Sequence, residues 1–304
     1  MSDIKLFRTS SDSVTPLEGK SVALEKSLQT LIEKHLEVFF GIRFLATEYQ
    51  TGKTHGGRID TLGLDENRCP CILEYKRSTN ENVINQGLFY LDWLLDHKGE
   101  FQLLVQQKLG KEESEKIEWS SPRLLCIAGD FTKYDSHAVQ QINRNIELIR
   151  YLRYGDEFLL LELVNHVQAT TDVEAEASST KSVYKGDKTV SEHLSEASQQ
   201  LIDLYEELKT TCTSLGDDVQ MKMLKLYVAF KRMKNFLTVE VRSGFNALVC
   251  CVKVDPSTIT IEDGFTRDVS KIGHWGTGDL EITIKNREDL SKAMPLIQTS
   301  YENS

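Results

Sequence analysis

The fold of this chain is decided by residues 57–76, which read Gly-Arg-Ile-Asp-Thr-Leu-Gly-Leu-Asp-Glu-Asn-Arg-Cys-Pro-Cys-Ile-Leu-Glu-Tyr-Lys. Two apolar runs flank a polar segment at 65–68, and this pattern predicts two strands joined by a turn. Because side chains on a strand alternate between its faces, Glu74 and Lys76 are expected to point the same way. A hairpin of this kind can bring Asp60 beside Glu74, so that two carboxylates and one ammonium share one face of a sheet.

Two interpretations of Asp60, Glu74 and Lys76 are open from these residues alone. The simpler one is a solvated, charged strand face without a chemical role. The other is a site organised by a divalent cation, because burying such charges is costly unless they are paired or bind a metal.

The spacing Asp60-x13-Glu74-x-Lys76 resembles the signature of the PD-(D/E)XK nuclease superfamily, in particular its NucS-like and RecB-like members. Ile59 stands where the family name has proline. The resemblance covers roughly residues 20–165 and implies a restriction-endonuclease-like αβββαβ core.

The predicted first helix supports the resemblance, because residues 21–40 have a helical period with an apolar stripe. Glu25 is expected in line with that stripe, whereas Glu33 and Glu37 are expected to lie off it. The superfamily uses a Glu on the inward face of its first helix as an additional acidic group, and the resemblance assigns this role to Glu25.

The helix predicted after the hairpin carries Gln86 and Tyr90 four residues apart, and therefore on one face. Gln-x-x-x-Tyr at this place resembles the fourth motif of the superfamily. The resemblance then implies a catalytic set with a Mg²⁺ or Mn²⁺ cofactor, in which Asp60 and Glu74 bind the metal directly and Glu25 binds it through water. Lys76 would orient the attacking water or stabilise charge on the phosphate.

The order of predicted elements agrees with an α/β core followed by a smaller α+β domain. The predicted first-half elements are a helix over 23–40, strands near 42–49, 57–64 and 70–76, a helix over 82–97, a strand over 123–128, a helix near 136–153 and a strand near 157–164. We predict domains over 1–168 and 190–304, joined by a polar linker over 169–189.

In the second half, a helix over 194–208 is predicted to precede strands near 224–232, 236–242, 246–254 and 280–285, with a last helix from Glu288 to just before Tyr301. Arg267–Asp279 resembles a stretch of the uncharacterised C-terminal domain of bacterial proteins labelled "predicted transport protein". The densest basic stretch of this half contains Lys222, Lys225, Lys231, Arg232 and Lys234. A solvated strand face is its simpler interpretation, and a nucleic-acid contact is the other.

Composition limits the function classes. The 304 residues are 40% hydrophobic and 27% charged, as in a soluble globular protein, and no apolar run approaches the ~20 residues that span a bilayer. The first residues lack the apolar core of a signal peptide, so a cytoplasmic location without a membrane partner is expected. The six cysteines lack zinc-ligand spacing and are expected to be free thiols.

These patterns together favour a metal-dependent nuclease that hydrolyses phosphodiester bonds, with DNA as the expected substrate, in repair or defence. The net charge of −10 argues against a surface that is positive overall, which is the usual sign of a nucleic-acid-binding protein. It keeps open a second hypothesis, a catalytically silent nuclease fold that binds nucleic acid or scaffolds a protein assembly. A homodimer or a protein partner contacting the C-terminal domain is also left open.

Overall fold

The computed structural model describes residues 4–20, 25–52, 56–76, 83–169, 188–273 and 276–304. The chain divides into two compact units, residues 1–181 and 182–304. Each unit mixes helices with β-sheet, and the described residues contain nine helices in all. Most of the linker predicted over 169–189 lies outside these residues.

The described part of the first unit contains nine strands and six helices. They are β1 (Leu6–Thr9), β2 (Val14–Leu17), β3 (Gly19–Lys20), α1 (Glu25–Lys34), α2 (Leu36–Phe40), β4 (Ile42–Gln50), β5 (Arg58–Asp65), β6 (Pro70–Lys76), α3 (Val83–Asp96), α4 (Lys98–Leu109), α5 (Lys111–Glu115), β7 (Arg123–Ala128), α6 (Lys133–Gln140), β8 (Asn145–Tyr154) and β9 (Phe158–Val167).

Seven of these strands form one sheet in the order β3-β8-β7-β6-β5-β4, and β9 pairs with β8. Strands β4, β5 and β6 are antiparallel, whereas β6, β7 and β8 run parallel. The central strands β6 and β7 are buried almost throughout, because helices lie over the sheet and both faces need apolar side chains. This burial explains why their sequences read as continuous apolar runs.

The predicted turn at 65–68 is confirmed. The Asp65 carboxylate accepts hydrogen bonds from the backbone amides of Asn67 and Cys69, at 2.9 and 2.8 Å. Arg68 has a φ of 60°, the left-handed conformation that closes the turn. The short connection fixes β5 against β6 in the register that opposes residues 60 and 74.

Two predictions for the first unit are corrected. The helix predicted over 23–40 is two helices, and it breaks at His35 before Gly41 ends the second in a left-handed conformation. The prediction of a helix near 136–153 is wrong, because helix α6 ends at Gln140 and Asn145–Tyr154 form β8. Residues 146–149 are all buried where β8 pairs with β7 inside the sheet. Because both faces of the strand are covered there, its sequence lacks the alternation of apolar and polar residues that predicts a strand.

The described part of the second unit contains a six-stranded sheet with helices packed on one face. Its elements are α7 (Val190–Ser195), α8 (Gln199–Thr213), β10 (Gln220–Met223), β11 (Val228–Lys231), β12 (Asn235–Arg242), β13 (Ala247–Val252), β14 (Thr266–Asp268), β15 (Leu280–Ile284) and α9 (Arg287–Glu302). The strand order is β10-β11-β12-β13-β15-β14. The strand predicted over 224–232 is shorter, because Leu224 and Tyr227 close a hairpin turn between β10 and β11.

All six cysteines are buried thiols, in agreement with the prediction. Within the described ranges, no helix combines the length and the apolar character required to cross a bilayer.

Candidate active site

Asp60 and Glu74 lie opposite each other at the point where β5 and β6 separate. The last paired residues of the two strands are Thr61 and Leu73, so the next step along each strand places residue 60 beside residue 74. Antiparallel neighbours at this spacing have Cβ atoms about 4.5–5.5 Å apart. The convergence predicted from the sequence is therefore present.

The two carboxylates replace the missing backbone pairing with reciprocal hydrogen bonds. Glu74 Oε1 accepts from the backbone amide of Asp60 at 3.1 Å, and Asp60 Oδ2 accepts from the backbone amide of Tyr75 at 3.0 Å. Both side chains are thus held in one orientation across the strand pair. Since a carboxylate has two oxygens and about four acceptor positions, each can bind a cation while keeping its amide contact.

The burial of the pair is unequal. Glu74 is 0% exposed, whereas Asp60 is partly open to solvent. Burial raises the pKa of the neighbouring Tyr75 hydroxyl well above its usual range, and the nearby carboxylates of Glu33, Asp60 and Glu74 raise it further. Three carboxyl groups therefore lie near Tyr75 at this end of the hairpin.

Helix α1 contributes a residue that the sequence pattern did not select. Glu33 was expected off the apolar stripe, yet its Oε1 accepts hydrogen bonds from Thr61 Oγ1 at 2.7 Å and from Gln29 Nε2 at 2.9 Å. Gln29 also donates to the backbone carbonyl of Asp60 at 2.8 Å. The signal available in the sequence was the spacing of Gln29 and Glu33, because residues four apart share one side of a helix.

Glu25 begins helix α1, and its side chain lies outside what the structure describes. Its predicted role as a water-mediated ligand remains a prediction. Lys76 ends β6 and is half-buried. Because it lies two residues beyond Glu74, strand alternation places both side chains on the same face.

Gln86 and Tyr90 lie together on α3, as their spacing predicted. Gln86 Nε2 donates to the Tyr90 hydroxyl at 3.4 Å, and that hydroxyl accepts from the backbone amide of Arg58 at 3.1 Å. Gly57 is required beneath the ring, since a Cβ there would stand 2.5 Å from Tyr90 Cε1. Tyr90 therefore fixes the start of β5, two residues before Asp60.

Arg58 is held by an ion pair rather than directed at Asp60. Its Nε contacts Glu48 on β4, and Glu48 also accepts from Lys26 Nζ of α1 at 2.6 Å. This exposed cluster links α1, β4 and β5 around the candidate site.

The side chains of Asp60 and Glu74 carry carboxylate oxygens, a ligand type that suits Mg²⁺ and Mn²⁺ better than softer metals. Among the described side chains, no group of three or more His, Cys, Asp or Glu is arranged to hold a metal ion. One or two carboxylates with water and phosphate oxygens are sufficient for Mg²⁺. The two acidic side chains thus fit such an ion.

Residues 190–304 match the family model described as Domain of unknown function (DUF5655). An uncharacterized protein of Haemophilus influenzae is 26% identical over 308 residues, which cover 99% of this chain and all of that protein.

Two similar solved structures cover 45% of this chain and 50% of theirs, each at 19% sequence identity. One is a crystal structure of a repair endonuclease from Pyrococcus abyssi, with a TM-score of 0.29. The other is the structure of an EndoMS–dsDNA2 complex, with a TM-score of 0.25. The chain therefore spans half the length of each of these proteins.

Proposed function

We propose that the first unit is a metal-dependent nuclease that hydrolyses phosphodiester bonds, with DNA as substrate. The observation that carries the proposal is the reciprocal pairing of Asp60 and Glu74 where β5 and β6 separate. A solvated strand face would leave these carboxylates in water, whereas Glu74 is fully buried. Burying a carboxylate beside a second one is costly without a compensating positive charge.

Asp60 and Glu74 would hold Mg²⁺ or Mn²⁺ through their carboxylate oxygens, with Glu25 reaching it through water. When bound, such an ion lowers the pKa of a coordinated water and neutralises negative charge on the phosphate. The fit rests on an all-oxygen donor set in which backbone amides already orient both side chains. Preorganisation of this kind avoids rearrangement when the substrate binds.

Each of the remaining residues would have its own role in hydrolysis. Lys76, on the face of Glu74, would donate hydrogen bonds to the attacking water or to a phosphate oxygen. The attacking water would lose one proton to the solvent as its oxygen bonds to phosphorus and the bond to the leaving oxygen breaks, and the leaving oxygen would take up one proton. Tyr90 and Gln86 would keep β5 in place and contact the substrate backbone, and Gln29 would hold the main chain of Asp60.

A cleavage assay tests the proposal. End-labelled single-stranded, duplex and branched DNA are incubated with the protein in Mn²⁺, in Mg²⁺ and in EDTA. We expect cleavage in the presence of metal, its loss in D60N and E74Q, and a rate roughly 10²- to 10⁴-fold lower in K76A. E37Q removes an exposed carboxylate of α2 and is the matched control, which should cleave like the wild type.

Two outcomes would reject the proposal. A folded wild-type protein that cleaves none of the three DNA forms is not a DNA nuclease. Equal cleavage by wild type, D60N and E74Q would place the activity elsewhere. DNA binding without cleavage would favour the second hypothesis, a silent nuclease fold that recognises nucleic acid.

A further inference from the structure

The sheet of the second unit has a polar face opposite its hydrophobic core. Phe230 of β11 and Met221 of β10 pack with the core, so their strand neighbours alternate to the other face. Gln220 lies directly across from Lys231, and Lys222 lies across from Ala229. Two lysines and one amide are therefore grouped on adjacent strands at the β10 edge of this face.

This group is not the solvated strand face that the basic stretch predicted. Lys231 is 3% exposed and Gln220 is 4% exposed, while Lys222 is half-buried. Among the residues that the structure describes, the buried Nε2 atom of Gln220 has no hydrogen-bond partner. Because a buried amide nitrogen without an acceptor is costly, it indicates a place where an acceptor binds.

Further donors come from the start of β12 and from the loop that precedes β15. Asn235 is 2% exposed, and its Nδ2 donates to Thr277 Oγ1 at 2.8 Å. Since the Thr277 hydroxyl accepts this bond, its own hydrogen can be donated to a third group.

Glycines hold this loop flat on the polar face. Gly276 and Gly278 have φ values of 95° and 123°. A Cβ at Gly276 would stand 2.0 Å from Thr238 Oγ1, and one at Gly278 would stand 2.3 Å from the Val252 carbonyl oxygen. The close approach keeps Thr277 beside the sheet.

Two carboxylates on the strands of the same sheet are neutralised locally. Glu240 contacts Arg242 at 2.9 Å, and Glu281 contacts Arg267 at 3.1 Å. These arginines therefore offset negative charge on β12 and β15.

We propose that the second unit binds a phosphate group at this donor cluster, which consists of Gln220, Lys222, Lys231, Asn235 and Thr277. Two ammonium groups, an amide nitrogen without an acceptor and a hydroxyl form a set dominated by hydrogen-bond donors. A phosphate group supplies the acceptor oxygens and the negative charge that such donors bind. The half-buried Lys222 on the edge strand gives the anion its approach. This site is independent of the proposed nuclease site in the first unit.

Phosphate binding by the full-length chain tests the proposal. Calorimetric titrations in EDTA at constant ionic strength use inorganic phosphate, a 5′-phosphorylated oligonucleotide and the same oligonucleotide without that phosphate. We expect binding of phosphate or of the phosphorylated strand, weakened at least about tenfold, or ~1.4 kcal/mol, in K231M, Q220E and T277V. K285M removes an exposed lysine of the same unit and should bind like the wild type.

The three ligands distinguish the source of the phosphate. Binding of inorganic phosphate indicates a free anion, and binding restricted to the phosphorylated strand indicates a nucleic-acid end. T277V changes a loop residue, so it remains informative if either sheet variant fails to fold. The proposal is overturned if the wild type binds none of the ligands at millimolar concentration, or if Q220E or T277V binds them as tightly as the wild type.

Discussion

The proposed nuclease site is built around two carboxylates, Asp60 and Glu74, whose oxygens accept hydrogen bonds from backbone amides across β5 and β6. Their adjacency could be predicted, because the turn at 65–68 and the alternation of side chains leave few registers for the hairpin. The participation of Glu33 could not be predicted in this way. Its contact with Thr61 depends on how α1 crosses the sheet, which helical periodicity does not specify.

Two substitutions of Asp60 distinguish the effect of its charge on stability from the effect of its hydrogen bond. Asn keeps an acceptor for the Tyr75 amide and removes one of two facing charges, so D60N should be as stable as the wild type or slightly more stable. D60A leaves that amide without its acceptor, and we expect a loss of about 1–3 kcal/mol. Urea unfolding in EDTA measures both. Equal destabilisation by the two variants would contradict the importance of this hydrogen bond.

Buried charges set the register of the central strands. Arg123 at the start of β7 donates to Glu147 of β8 at 2.8 and 3.0 Å and to Asp65 of β5 at 3.0 Å. All three residues are almost fully buried. Their pairing explains how β8 reaches a position that the sequence pattern alone assigned to a helix, because such long-range partners are invisible to local periodicity.

Removal of the Arg123 guanidinium should therefore be severe. R123M leaves two buried carboxylates without their counter-charge, and we expect a loss of about 3–5 kcal/mol in urea unfolding. R8M is the matched control, since Arg8 pairs with Glu157 at the surface, where both side chains are more than half exposed. That variant should lose less than about 1 kcal/mol. Similar losses in both variants would show that the buried network does not set stability.

The cluster around Glu48 should make the packing of α1 against the sheet depend on pH. The hydrogen bond from Lys26 lowers the pKa of Glu48 below its ordinary value of 4.5, and the charges of Lys26 and Arg58 contribute, while burial opposes them. The stabilisation is therefore present above pH 4.5 and is lost as the pH falls through the lowered pKa. E48Q should be about 0.5–1 kcal/mol less stable than the wild type at pH 7, with the difference disappearing in acid. A constant difference across that range would contradict this account.

The chain divides into two units, and each candidate site consists of residues from one unit. Every residue of the proposed nuclease site lies in residues 1–181, and the donor cluster lies in 182–304. The α/β class of the first unit and the α+β class of the second could be predicted from hydrophobic periodicity. The polar face of the second sheet could not, because strand alternation does not show which side chains a later loop covers.

This division predicts that a fragment of residues 1–181 retains metal-dependent cleavage at a rate similar to that of the full chain. The cleavage assay on the purified fragment measures it, with circular dichroism as the test of folding. A folded fragment without activity would show that the second unit contributes to cleavage.

The most direct test of a metal site at Asp60 and Glu74 is Mn²⁺ binding to the apo protein, monitored by the electron paramagnetic resonance signal of the free ion. We expect wild type and K76A to bind Mn²⁺, since lysine is not a metal ligand, and we expect D60N and E74Q to bind it at least about tenfold more weakly. K76A should therefore retain the metal while cleaving DNA roughly 10²- to 10⁴-fold more slowly. Mn²⁺ binding that is unchanged in D60N and E74Q would contradict a metal site at Asp60 and Glu74.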